Sequence, residues 1–112
     1  MNVLGETWPD PFSKALGTNM DRFLSPTGVR GLARMDDSHL ILLAVDAIEP
    51  GTGQFKAFIK QAKRECSAIS VWHVFNPMLI KVLKRYGFKY RVETDQNTGE
   101  RIPAYRWRKV WE

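Results

Sequence analysis

The sequence predicts an α/β domain built on a mixed β-sheet with helices packed on its faces. Three observations carry that expectation. His39 to Ile48 (HLILLAVDAI) is almost continuously apolar, as a central strand covered on both faces requires. Phe55, Phe58, Ile59, Ala62 and Cys66 recur at the spacing that gathers side chains on one face of a helix. Ala68 to Phe75 then returns to β-branched and aromatic residues, and the order strand, helix, strand calls for parallel pairing through a right-handed crossover.

The elements follow in order. Residues 1–28 form a turn-rich segment, with short helical pieces expected from Pro11 to Leu16 and from Asn19 to Leu24. Its apolar groups, among them Trp8, Phe12, Leu16, Met20, Phe23 and Leu24, are too many for a free tail, so it is expected to pack on the domain or a partner. Val29 to Met35 and His39 to Ile48 flank the polar turn Asp36-Asp37-Ser38, which reads as a hairpin. Pro50-Gly51-Thr52-Gly53 ends the second strand and opens the first main helix. After the strand Ala68 to Phe75, Asn76-Pro77 places a capping residue before proline. Leu79, Val82, Leu83 and Tyr86 form the buried stripe of that second helix, and Gly87 ends it. Two strands, Lys89 to Thr94 and Ile102 to Val110, are joined by the turn Asp95 to Gly99. The core, residues 29–110, is thus expected to run β-β-α-β-α-β-β within a single domain, 1–112.

Composition narrows the function classes. A single cysteine, Cys66, excludes an internal disulfide, points to a reducing compartment and, with only His39 and His73, makes a poor metal set. The first residues carry no signal-peptide pattern, and no apolar run is long enough to span a bilayer, so no membrane partner is expected. The net charge is +5, and all of the excess lies in residues 81–112, with nine basic and four acidic side chains. Such a region favours an anionic partner: nucleic acid, a phosphorylated cofactor or an acidic protein face. Within it, Tyr105-Arg106-Trp107-Arg108-Lys109-Val110-Trp111 alternates aromatic and basic residues. Arg106, Trp107, Arg108 and Trp111 are therefore the candidate partner-binding residues, first for a protein and second for nucleic acid; packing on the domain's own sheet accounts for the pattern equally well.

Asn76 to Phe88 (NPMLIKVLKRYGF) carries a family resemblance, with an Asn at the helix start and Gly87-Phe88 eleven residues on. With the element order, it resembles the C-terminal part of a GNAT acetyltransferase over residues 29 to 110. The resemblance implies a GNAT-like mixed sheet in which the strand before this helix splays from its neighbour to admit the pantetheine arm of acyl-CoA. If the cofactor is retained, Gly51, Thr52, Gly53 and Asn76 are the residues implied to hold it, and the activity would be acetyl-CoA-dependent N-acetyl transfer.

Three departures from the family pattern bear on activity. Aligning the helix stripes places Gly51 at the last glycine of the phosphate loop, Glu49 at the first and Asp46 at the arginine, and two carboxylates there oppose a polyphosphate. The tyrosine that protonates the leaving thiolate is replaced by Leu83, and Tyr86 sits at the wrong helical angle. The segment before residue 29 is too short for the family's opening strand and two helices. Asp46, Glu49 and His73 are the nearest candidates for a base, each with an ordinary structural reading as strand ending or packing residue, so no catalytic residue is assigned. The pattern resembles short divergent GNAT-like proteins of bacteriophages, including internal virion proteins of short-tailed phages. That resemblance implies a host-cytoplasmic or virion location and work by binding virion or host proteins, with no cofactor required.

Overall fold

The computed structural model describes residues 2–112. Seven strands form one mixed sheet in the order β1-β2-β3-β4-β5-β7-β6. They are β1 (Glu6–Pro9), β2 (Asp21–Leu24), β3 (Val29–Asp36), β4 (His39–Ala47), β5 (Ala68–Trp72), β6 (Lys89–Thr94) and β7 (Arg101–Arg108). The helices are α1 (Pro11–Ala15), α2 (Gln54–Glu65) and α3 (Pro77–Arg85), followed at the chain end by a 3-10 turn, Lys109–Trp111. Among the described strands β4 and β5 pair in parallel, through the α2 crossover, and the other neighbouring strands pair antiparallel. From β3 onward the predicted order of strands and helices holds.

The main core lies between the sheet and the two long helices. Phe58, Ile59, Ala62 and Cys66 of the α2 stripe meet Leu40, Leu42, Ile69, Val71 and Trp107 from the sheet, while Leu83 and Phe88 close the layer from α3. These are the positions that the helical periodicity picks out, because a stripe at 3.6-residue spacing has one face to bury. The opposite sheet face carries a smaller cluster of Met20, Ile41, Trp72, Ile102 and Ala104.

The N-terminal segment packs on the domain but corrects one expectation. Pro11 does open a short helix, with Asp10 Oδ2 accepting the Ser13 N–H at 3.1 Å. The second piece, expected as a helix from Asn19 to Leu24, is instead a strand entered through a left-handed Asn19. A six-residue helix without a proline start gains little against the cost of nucleation, whereas the free edge of β3 supplies hydrogen-bond partners for the whole of β2. Residues 6–9 add the edge strand β1, so the segment lengthens the sheet. Val3 ties it to α2, its N–H donating to Glu65 Oε1 at 2.8 Å.

The tail brings two further corrections. The last strand ends at Arg108, and the 3-10 turn breaks the alternation expected to run through Val110. Trp107, a candidate partner-binding residue, is only 1% exposed, packed in the main core beneath Lys63 of α2. It holds β7 to the helices and is not available to a partner.

Candidate functional site

The parallel pair β4 and β5 keeps its register from His39↔Ala68 to Leu43↔Trp72 and then opens. Two left-handed residues set that point: Ala44, with φ 55°, and His73, also φ 55°. Non-glycine residues rarely adopt this conformation, and it marks a deliberate departure from the ladder. On β4 the departure is a bulge, since the pairing passes from Leu32↔Leu43 to Arg30↔Asp46 with Gly31 opposite two residues. Gly31 is required by close approach, because a Cβ there would lie 2.9 Å from the Ala44 carbonyl oxygen. On the other side β5 leaves the sheet at His73, whose N–H still donates to the Pro103 carbonyl at 2.9 Å. The strand read as reaching Phe75 therefore ends at Trp72, and His73 is an exposed residue just past it.

The opening forms a cleft of about 270 Å³ walled by Ala44, Val45, Val71, Val74, Phe75 and Leu79, with His73 and Asn76 at its polar side. Val45, Asn76 and Leu79 continue into a groove of about 310 Å³ that runs to Gly51, Gly53 and the start of α2. Gly51 and Gly53 thus border the groove, and Asn76 borders both spaces. Thr52 takes a structural role, its hydroxyl donating to the Glu49 carbonyl at 2.7 Å to tighten the turn.

The start of α2 carries no side-chain cap, and its first helical hydrogen bond runs from the Ala57 N–H to the Gly53 carbonyl. The N–H groups ahead of Ala57 therefore point outward, with Lys56 beside them and open space around both glycines. Asp46 does not point its charge at this groove unopposed; Arg30 Nε lies 3.1 Å from its Oδ1. Glu49 is exposed, and its backbone N–H is held by Gln54 Oε1 at 2.7 Å. Asn76 caps α3, its Oδ1 accepting the Met78 N–H at 2.9 Å. Leu83 is fully buried and faces the core, so nothing at that position reaches the cleft.

A second polar centre lies on the opposite sheet face and was not legible in the sequence. His39 Nε2 is 2.7 Å from Ser70 Oγ, and Ser70 Oγ donates to Glu93 Oε2 at 2.7 Å. Glu93 also accepts from Trp72 Nε1 at 3.1 Å and from Arg106 Nε at 2.8 Å. Because Ser70 gives its only hydrogen to a carboxylate, it must accept from His39, which fixes neutral His39 with its proton on Nε2. Burial pushes the His39 pKa below its usual value; Glu93 and Asp36 oppose that shift, and Arg106 and Arg108 reinforce it. Ser70 is wholly buried, so this is a bracing network under a polar cavity and offers no nucleophile.

The remaining predicted partner residues scatter. Arg106 is committed to Glu93, Arg108 is exposed, and Trp111 lies under two cations, Lys89 at 4.9 Å and Arg91 at 5.5 Å from its ring. Cys66 is buried, and burial raises its thiol pKa to about 11, which leaves it unreactive. Among the described residues no group of His, Cys, Asp and Glu is placed to hold a metal, and no helix is long and apolar enough to cross a membrane. No protein-family model, curated protein or solved structure matches the chain.

Proposed function

We propose that the chain is a GNAT-like protein that keeps the scaffold and its cleft without acyl-transfer chemistry, and that it works by binding another protein. The strand order, the single parallel pair and its opening at Ala44 and His73 agree with that scaffold. The observation that carries the reading is the lining of the cleft. Among the described residues its only titratable side chain is His73, and no hydroxyl or thiol lines it to protonate a leaving thiolate. Residue 83, the expected acid position, is a core leucine. The resemblance to short bacteriophage proteins supplies the setting: a phage or prophage product whose partners are virion or host proteins, found in the host cytoplasm or the virion.

An assay for free thiol released from acetyl-CoA tests this, run with primary-amine acceptors and with host lysate protein. The expected result is release no faster than without protein. Sustained release that depends on the protein would overturn the reading.

One observation favours the enzyme as a second reading. The uncapped start of α2, its open glycines and Lys56 form an anion-compatible end to the groove, and Arg30 offsets the Asp46 charge. The nucleic-acid reading is weaker, because the one aromatic platform in the basic tail, Trp111, is already stacked by the protein's own Lys89 and Arg91.

A further inference from the structure

The sheet ends in two unlike edges. β1 has four residues and ends in Pro9, which has no N–H to offer a neighbour. β6 has six residues, Lys89 to Thr94, without proline.

The register shows which backbone groups of β6 are unused. Pro103 of β7 sends its carbonyl to the His73 N–H, on the β5 side. In an extended strand a residue's N and C=O point the same way, so Pro103 is not hydrogen-bonded to its β6 partner, Val92. The antiparallel pairs alternate from there. Lys89, Arg91 and Glu93 bond to β7, while Tyr90, Val92 and Thr94 direct N–H and C=O outward. The Arg91 Nη1 bond to the Tyr90 carbonyl, at 2.8 Å, reaches one of these outward groups.

Side chains alternate as well. Lys89 and Arg91, the two cations that stack on Trp111, stand on one face, beside Arg106 across the ladder and with Arg108 two residues further along it. The acid that β6 itself places on that face, Glu93, is 8% exposed and held by Arg106. Tyr90 and Val92 stand on the other face, 52% and 48% exposed. A second copy of the chain fits poorly: a two-fold pairing centred on Tyr90 sets Lys89 against Arg91, and one centred on Val92 sets these cations opposite Glu93 and Asp95, which are buried and already held by Arg106 and Arg34.

We propose that β6 is a docking edge for an extended acidic segment of a partner protein, added as an eighth strand. Its alternate residues are acidic over Lys89 and Arg91 and apolar over Tyr90 and Val92. The N–H of Tyr90 and the backbone groups of Val92 and Thr94 supply affinity, and the two faces supply register and charge selection. This rests on the reading of the chain as a protein-binding scaffold and names the surface and the partner's chemistry.

Val92→Pro isolates the edge, because it removes an outward N–H and leaves every β6–β7 bond in place. Fluorescence anisotropy would compare labelled peptides of about eight residues, alternating Glu with Val or Lys with Val, and a single-stranded oligonucleotide as a bare polyanion. The Glu peptide is expected to bind at least about tenfold more tightly than the Lys peptide, with the Val92 and Thr94 amides gaining exchange protection. Val92→Pro and, separately, Lys89→Glu with Arg91→Glu are each expected to weaken it about tenfold or more, with circular dichroism unchanged. Equal binding of both peptides, no binding of either, or binding unmoved by Val92→Pro in a folded variant would overturn the proposal. So would an oligonucleotide that binds as tightly as the Glu peptide. Thiol release from acetyl-CoA, measured on the same protein, reads the scaffold claim separately, since the cleft borders β5, two strands from β6.

Discussion

The ammonium of Lys63 stands 5.1 Å above the ring centre of Trp107, joining α2 to β7 across the edge of the core. The same Nζ donates to the Tyr86 carbonyl at 2.5 Å, where α3 ends, and to Glu112 Oε1 at 2.9 Å. One cation therefore ties together both long helices, a central strand and the chain terminus. That contact holds Glu112 below its ordinary pKa, the hydrogen bond from Lys63 being the main cause. Trp107→Ala should destabilise the fold by about 3–5 kcal/mol, as for other buried aromatics. Lys63→Met, which keeps the stem but not the charge, should cost only about 0.5–2 kcal/mol. Urea titration of the two variants checks the ranking; a tryptophan loss no larger than the lysine loss would mean that Trp107 is not core.

Leu83 is fully buried between α3 and the sheet. Leu83→Ala should cost about 2–5 kcal/mol. Leu83→Tyr should cost about 1–3 kcal/mol through overpacking, and should create no acetyl transfer. Thermal unfolding of both variants, with a thiol-release assay of the second, checks this. A tyrosine variant as stable as the parent would place open space at that position.

His39 gives the fold a pH dependence whose sign follows from its environment. Its folded pKa lies below the ordinary value of 6.5, so the unfolded chain takes up the proton first as the pH falls. Stability is therefore full above about pH 6.5 and declines as the pH drops from there through the folded pKa. His39→Gln keeps a donor for Ser70 without a titrating ring. Between about pH 7 and about pH 5 the urea midpoint of the parent should fall further than that of the variant. Equal falls would assign the acid sensitivity to carboxylates alone.

Helices were the most legible part of the sequence because a stripe such as Phe58, Ile59 and Ala62 is a local signal. β1 and β2 were not, since four-residue strands exist only through their pairing with β3, which no local pattern encodes. Trp107 and Trp111 looked equivalent in an alternating tail; the 3-10 turn after Arg108 separates a core residue from a surface one. The turn at Gly51 to Gly53 and the cap at Asn76 are legible because both are local signals. The resemblance implies a splay at β5, but the residues at which the sheet opens are not legible, because Ala44 and His73 adopt a conformation that their residue types do not advertise. The network around Ser70 was missed because its members come from β4, β5, β6 and β7, far apart in sequence. Its weak hint was polar residues, Ser70 and Glu93, inside otherwise β-prone runs.

The central claim is that the cleft persists while the acyl-CoA function does not, and calorimetric titration of the intact chain with acetyl-CoA tests it most directly. Asp46 in the groove wall and the exposed Glu49 in the same loop, where the resemblance implies neutral or basic residues, predict no saturable heat up to about millimolar ligand. Saturable binding at about micromolar or tighter, abolished by Gly51→Pro, would contradict the account and restore an acetyl-CoA-dependent acetyltransferase.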